Sequence, residues 1–136
     1  MKKLLIVIFV FVFGTIGSVY SQDQSFLDSQ LRETKKKNAT FMRIMTHIGD
    51  SIFVARVTDI EGNLRIEGAY VHKDGKITEN GRFTFYHQNG QIESQGMYEM
   101  GVKVGTWKRF KQNGANKADR FYNPESASLI RAAMGS

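Results

Sequence analysis

An internal repeat is the feature that most constrains how this chain folds. Residues 81–98 (GRFTFYHQNGQIESQGMY) align with residues 105–122 (GTWKRFKQNGANKADRFY) at an offset of 24 positions, and a half-copy at residues 62–70 matches residues 90–98. A repeat of this length indicates one supersecondary unit per copy, which needs its neighbours to complete a core. The positions that define the repeat are Gly62, Gly68, Tyr70, Gly81, Phe83, Tyr86, Asn89, Gly90, Gly96, Tyr98, Gly105, Trp107, Phe110, Asn113, Gly114 and Tyr122.

Each repeat unit is predicted to be a β-hairpin. Asn89-Gly90 and Asn113-Gly114 are each flanked by strand-like residues, and Asn-Gly is a strong hairpin signal because both residues tolerate positive φ. Residues 99–105 are expected to link one hairpin to the next. Regular alternation puts Phe83 and Tyr86 on opposite faces, although their aromatic character recurs in both units. A β-bulge would reconcile the two observations.

The rest of the chain extends this pattern towards the N-terminus. Residues 40–48 and 51–58 are rich in β-branched and aromatic residues, which favours strands. About seven strands, each beside its sequence neighbour, give a mainly β fold. We therefore predict an antiparallel meander of consecutive β-hairpins over residues 40–122. Residues 22–39 are expected to be a flexible or edge-covering lead-in.

Residues 123–136 are predicted to form a short C-terminal helical cap or tail. Asn123 can cap a helix, Pro124 suits the first helical position, and Glu125 favours the positive end of the helix dipole. Apolar residues later in the segment form a short strip along this helix. The strip either closes the last hairpin or docks a partner.

The first 21 residues have the pattern of a secretory signal peptide. Lys2 and Lys3 precede an uninterrupted apolar run of ten residues, and the end of the segment suits cleavage after Ser21. An uncleaved membrane anchor is the alternative, although a spanning helix needs roughly 20 apolar residues. The sequence has no cysteine, which excludes disulfides and a lipid-modified N-terminal cysteine. We expect an exported chain without a lipid anchor, in the periplasm, secreted or in the outer envelope of a Gram-negative bacterium.

A family resemblance follows from the repeat motif. The pattern G-x-[FW]-x-x-[YF]-x-Q-N-G, followed by G-x-Y, resembles the MORN-repeat variant of bacterial chains, a family of short β-hairpin repeats. Residues 33–41 look like the lead-in of exported MORN-variant proteins, some of which continue into a TonB-type energy-transducing domain. The resemblance covers roughly residues 26–123, although residues 115–120 are more polar than is usual for the family. It implies consecutive hairpins in an exported protein, and related proteins are sometimes labelled antitoxins.

The sequence offers no arrangement of residues typical of catalysis. The histidines His47, His72 and His87 lie in separate segments without metal-ligand spacing. The acidic residues show no evident pair for general acid–base catalysis, and there is no G-x-S-x-G nucleophile motif. We therefore expect no catalytic residues, no metal site and no cofactor, and predict that the protein is not an enzyme.

Positive charge is concentrated near the C-terminus. The net charge is +6, and removal of residues 1–21 leaves 17 basic and 13 acidic residues, or +4. Residues 107–111 (WKRFK) mix aromatic and basic side chains, so Lys108, Arg109 and Lys111 are candidate contacts for an anionic lipid or glycan surface. The alternative is an ordinary solvated strand face. Export argues against nucleic acid as a partner.

These observations favour a non-catalytic exported repeat module that mediates protein–protein interaction or scaffolding in the bacterial envelope. Its partner would be an unknown envelope protein, and exposed sheet edges also permit self-association. Two alternatives stay open. One is an antitoxin or immunity-type inhibitor, and the other is a binder of anionic lipid or glycan surfaces through the basic C-terminal repeat.

Overall fold

The structure, a computed structural model, describes residues 22–135. The predicted signal peptide, residues 1–21, lies outside the described residues. In chain order the elements are β1 (Gln22–Leu27), β2 (Glu33–Thr34), a 3₁₀ turn (Lys36–Asn38), β3 (Phe41–His47), β4 (Ile52–Asp59), β5 (Leu64–Lys73), β6 (Lys76–Tyr86), β7 (Ile92–Glu99), β8 (Val102–Phe110), β9 (Asn116–Tyr122) and α1 (Pro124–Ala133).

The nine strands of the described chain form one sheet in the order β2-β1-β3-β4-β5-β6-β7-β8-β9. Every neighbouring pair is antiparallel, and from β3 onwards each strand lies beside the next strand in sequence. This arrangement confirms the predicted mainly β meander of hairpins with a short C-terminal helix.

The lead-in adds two strands that the sequence analysis did not count. β1 pairs with β3 over its whole length, from Gln22 opposite Thr46 to Leu27 opposite Phe41. The two-residue β2 pairs with the end of β1. β1 begins with polar residues and buries only Leu27, so its sequence carries little strand signal. The sheet therefore has nine described strands rather than the expected seven or so.

One face of the sheet, called here the inner face, carries most of the buried side chains. Along β4, Phe53, Ala55 and Val57 are buried, whereas Ile52 on the other face is 46% exposed. The two-residue period of a strand thus separates a packed face from an open one. The buried apolar residues of the described chain are Leu27, Met45, Phe53, Ala55, Val57, Phe83, Trp107 and Ala127.

Aromatic rings packed over glycines form the physical basis of the repeat. A Cβ at Gly68 would lie 2.4 Å from the Phe83 ring, and a Cβ at Gly96 would lie 2.4 Å from the Trp107 ring. Only glycine leaves room for each ring, because any side chain would occupy the same space. Successive rings then meet edge to face along the inner face, an arrangement that their quadrupoles favour. The centroid distances are 5.2 Å for Tyr70–Phe83, 4.7 Å for Phe83–Tyr98, 5.4 Å for Tyr98–Trp107 and 6.3 Å for Trp107–Tyr122.

The Asn-Gly turns have a different backbone geometry from the one predicted. Gly90 has a φ of 87°, but Asn89 is not among the described residues with positive φ. The Gly90 N–H donates to the His87 carbonyl, and the His87 N–H donates to the Gln91 carbonyl. This is a type I turn followed by a glycine bulge rather than a two-residue turn. The same pattern recurs at Gly114.

Two-residue turns with positive φ at both positions lie at the opposite ends of the strands. They are Asp74-Gly75, between β5 and β6, and Met100-Gly101, between β7 and β8. Glu99 pairs with Val102 directly across the second turn. The expectation that residues 99–105 form a linker is therefore wrong, because most of that segment belongs to the ladder between β7 and β8.

A β-bulge lies near the aromatic pair of the first full repeat. Phe85 pairs with Ser94, but Tyr86 pairs with Ile92, so Glu93 is left between the two pairs. Further register shifts occur between β7 and β8 and between β8 and β9. These shifts change which side chains share a face near the C-terminal end of the sheet.

Helix α1 begins as the sequence predicts. The Asn123 side chain accepts a hydrogen bond from the Glu125 N–H at 2.9 Å, and a proline lies in the first turn. The helix packs against β8 and buries Ala127. The Arg131 guanidinium donates to the Glu99 carbonyl at 3.2 Å. No helix within residues 22–135 is long and apolar enough to cross a membrane.

Candidate functional site

The last repeat forms a basic cavity on the inner face of the sheet. The cavity has a volume of about 170 Å³ and is lined mainly by polar groups. Trp107 contributes to its wall but is only 1% exposed. The charged side chains that line the cavity are four cations, Lys103, Arg109, Lys117 and Arg120, and one carboxylate, Glu93.

Register brings these cations together from two strands. Arg109 on β8 is the pairing partner of Lys117 on β9, and Trp107 is the partner of Arg120. The register shifts between these two pairs, so β9 contains one more residue than β8 in this interval. Lys117 and Arg120 are three positions apart and would face opposite ways in a regular strand. The bulge lets both side chains line the same cavity.

The positive charge of the cavity is not neutralised by the described part of the chain. Four cations against one carboxylate give the lining a formal charge of +3, and the Glu93 carboxylate lies 3.9 Å from His87 Nδ1. None of the four cations forms an ion pair with a carboxylate of residues 22–135. These cations are therefore available to an external anion.

Lys103 also makes a cation–π contact at the cavity wall. Its ammonium nitrogen lies 4.3 Å from the centroid of the Trp107 ring. The rings of Phe85 and Tyr122 are each 5.7 Å away. The negative ring faces attract the cation, so Lys103 is held beside the aromatic row and contributes its charge there.

Comparison of the two repeat units shows how the cavity arises. Arg109 occupies the position of Phe85, and Arg120 occupies the position of Gly96, each 24 residues further along. In the first unit Gly96 makes room for the Trp107 ring from the following strand. In the second unit β9 is the last strand of the described sheet. The cavity therefore lies where the ring of a further repeat would pack.

Strand β9 forms a free edge beside this cavity. Six of its seven residues are exposed, and only Tyr122 is half-buried. No strand of residues 22–135 pairs with its outer side, and α1 packs mainly against β8. A row of backbone N–H and C=O groups is thus left open to another chain.

The structure separates the three basic residues that the sequence analysis selected. Arg109 lines the cavity. Lys108 lies on the opposite face, where its Nζ is 3.3 Å from the Asp119 carboxylate. Lys111 lies in the turn after β8 and is exposed. These three side chains therefore do not form one continuous basic surface.

Sequence reasoning missed Lys103, Lys117 and Arg120. Simple alternation cannot place Lys117 and Arg120 on one face, because the bulge that does so depends on pairing with β8. The alignment of the two repeats does, however, contain one indication of where the cavity lies. An arginine at the position of the repeat glycine Gly96 marks the point where ring-over-glycine packing stops.

The histidines and the half-buried tyrosines Tyr70 and Tyr98 do not form a reactive cluster. His47 Nε2 lies 3.1 Å from an Asp23 carboxylate oxygen, and His87 Nε2 lies 3.0 Å from the Phe110 carbonyl. Burial, followed by the nearby Glu79 carboxylate, raises the pKa of Tyr70 and of Tyr98 to about 12, so both hydroxyls stay neutral at neutral pH. No group of three or more potential metal ligands occurs within residues 22–135.

A second concave surface lies between α1 and the turn that joins β7 to β8. It is an apolar groove of about 330 Å³, and its lining includes Val102, Ala127, Ile130 and Met134. Met134 is 75% exposed and Leu129 is 71% exposed. Most of the apolar strip of α1 is therefore left open, and Ala127 is the one buried residue of the helix.

Comparison with known protein families, with curated proteins and with solved structures finds no match. The resemblance to the MORN-repeat variant accordingly stays a prediction from the motif.

Proposed function

We propose that this chain is a non-catalytic module, exported to the bacterial envelope, that binds a partner protein through the β9 end of its sheet. Membership of the MORN-repeat variant family and a location in the periplasm or outer envelope are part of this proposal. The observation that carries it is the free edge of Asn116–Tyr122, whose outer side pairs with no strand of the described chain.

A free edge strand binds other chains through its backbone. An extended segment that pairs with it gains main-chain hydrogen bonds, while alternate side chains of that segment provide specificity. The opposite end of the sheet offers a shorter edge, because β2 pairs with Phe26 and Leu27 and leaves residues 22–25 of β1 without an outer partner in the described chain, whereas all seven residues of β9 lack one. β9 is therefore the better site for strand addition.

The chemistry of the cavity supports binding rather than catalysis. Its lining is dominated by four cations, and the one carboxylate there, Glu93, lies 3.9 Å from His87 Nδ1. Such a site can hold an anion by charge-assisted hydrogen bonds.

Site-specific photocrosslinking in the bacterial envelope tests this proposal. The photoreactive residue p-benzoylphenylalanine would replace Ala118, which is exposed on β9, and in a matched control Arg56, which is exposed on β4. We expect a discrete crosslinked product from position 118 and none from position 56. Equal products from both positions, or none from either, would overturn the proposal.

A further inference from the structure

We infer that the partner segment is an extended acidic peptide, which adds to β9 as a tenth strand and places carboxylates in the basic cavity. This inference rests on the proposed function and names the chemistry of the partner. It is carried by three features: the free edge of β9, the two arginines that replace apolar repeat positions, and the uncompensated charge of the cavity.

The position of an added strand follows from sheet geometry. A strand beside β9 would lie about 4.8 Å from it, and every second side chain would point to the inner face. Those side chains would stand over Lys117 and Arg120, which line the cavity. Every second side chain of an added strand would thus reach the basic cavity, which is where an aromatic ring would pack if another repeat followed.

The residues of the basic cavity determine which side chains of an added strand would fit there. In the first unit the next strand supplies the Trp107 ring, which packs on Gly96. The equivalent of Gly96 is Arg120, and the equivalent of Phe85 is Arg109. Two guanidinium groups favour carboxylates, which they bind in a planar, two-pronged geometry. An acidic side chain therefore fits where an aromatic one fits in the earlier repeat.

The same geometry disfavours a sugar or a base as the ligand. Stacking on an aromatic side chain is the usual means of holding such rings. Trp107 is 1% exposed and already contacts Tyr98 and Tyr122 edge to face. Its ring is therefore not free to stack on a ligand.

A flat anionic surface and a second copy of the chain also fit less well. Lys108 lies on the opposite face in an ion pair with Asp119, so the basic residues do not form a single flat patch. Pairing of two β9 strands would bring Lys117 and Arg120 of both copies together, and like charges repel. A negatively charged peptide strand, in contrast, can pair with the backbone of β9 and also neutralise the cations of the cavity.

Peptide binding tests the inference directly. The probes are two dye-labelled seven-residue peptides, one alternating Thr with Glu and the other alternating Thr with Gln, titrated with the purified chain at low salt and followed by fluorescence anisotropy. We expect the Glu peptide to bind at least tenfold more tightly than the Gln peptide. Its affinity should fall as salt is added, because salt screens the partly exposed cations of the cavity.

Matched variants locate the binding site. Arg109→Gln and Arg120→Gln each remove a cavity cation, and we expect roughly tenfold weaker binding of the Glu peptide, as for loss of one charge-assisted hydrogen bond. Lys108→Gln removes the same charge from the opposite face of β8 and should leave the affinity within about twofold, because exposed ion pairs contribute little.

The outcomes separate this inference from the proposed function. If both peptides bind with equal affinity and Arg120→Gln does not change it, the inference that the partner is acidic is overturned. The proposal that a partner strand pairs with the edge of β9 is then unaffected. Failure of both peptides, with binding to phosphatidylglycerol vesicles that Arg120→Gln abolishes, overturns the inference in favour of a membrane ligand. Failure of both peptides and of vesicles also overturns it, while the crosslinks at position 118 test the protein partner independently.

Discussion

The packing of Phe83 over Gly68 makes a sharp prediction about stability. In Gly68→Ala the new Cβ would lie 2.4 Å from the Phe83 ring, whereas carbon atoms normally pack at about 3.5–4.0 Å. The ring would have to move by roughly 1 Å. It has little freedom to do so, because it is 2% exposed and lies between the rings of Tyr70 and Tyr98.

Two opposing effects set the expected magnitude. Overpacking of a core typically destabilises a protein by about 1–3 kcal/mol, and the size of the overlap at Gly68 favours the upper end. Replacing a strand glycine by alanine normally stabilises by about 0.5–1 kcal/mol. We therefore expect Gly68→Ala to lower the free energy of unfolding by about 2 kcal/mol, which corresponds to a fall in Tm of about 8 °C for a chain of this size.

Urea and thermal unfolding, followed by the fluorescence of the single tryptophan, measure this effect. Gly49→Ala is the matched control, because its Cβ would meet only the Ile52 side chain, at 3.8 Å, and it should change stability by less than about 0.5 kcal/mol. In a Phe83→Leu background the Gly68→Ala penalty should shrink, since the ring is gone. Equal effects of the two alanine substitutions, or an unchanged penalty in that background, would refute the reasoning.

Three further predictions concern local contacts. Lys103→Met removes the ammonium above Trp107 and should lower the free energy of unfolding by about 0.5–1 kcal/mol; an unchanged urea midpoint would contradict this. Asn123→Ala removes the helix cap and should destabilise α1 by about 1 kcal/mol, seen as faster hydrogen exchange of its amides; unchanged exchange would show that the cap is dispensable. The pKa values of Tyr70 and Tyr98, about 12 in the fold, exceed the usual 10. Their neutral forms therefore stabilise the fold below pH 10, and this contribution is lost as the pH rises towards 12. Tyr70→Phe should flatten that decline in Tm, and an unchanged decline would contradict the assignment.

The hairpin architecture could be predicted because its signals are local. Asn89-Gly90 and Asn113-Gly114 mark the turns, and the strand residues around them recur at a fixed offset. The cap of α1 was equally predictable, since Asn123 and Pro124 act within one turn of the chain. The type of these turns could not be predicted from the sequence, because the glycine bulge at Gly90 depends on how the flanking strands pair.

The basic cavity could be predicted only in part. Arg109 was selected from its neighbours in the sequence, whereas Lys117 and Arg120 join it through a register shift between β8 and β9. Such a shift arises from cross-strand pairing, which period-two alternation does not describe. β1 was missed for a related reason, because its polar residues are held in the sheet by backbone pairing with β3.

Hydrogen exchange of the β9 amides, with and without the alternating Thr-Glu peptide, tests the central claim most directly. The claim is that Asn116–Tyr122 is an open edge completed by an acidic strand. At a saturating concentration of the Glu peptide, the account predicts slower exchange of β9 amides in the wild-type chain. At the same concentration it predicts clearly less protection in Arg120→Gln, which is expected to bind the peptide roughly tenfold more weakly. Unchanged exchange along β9, with new protection at the apolar groove beside α1, would contradict the account.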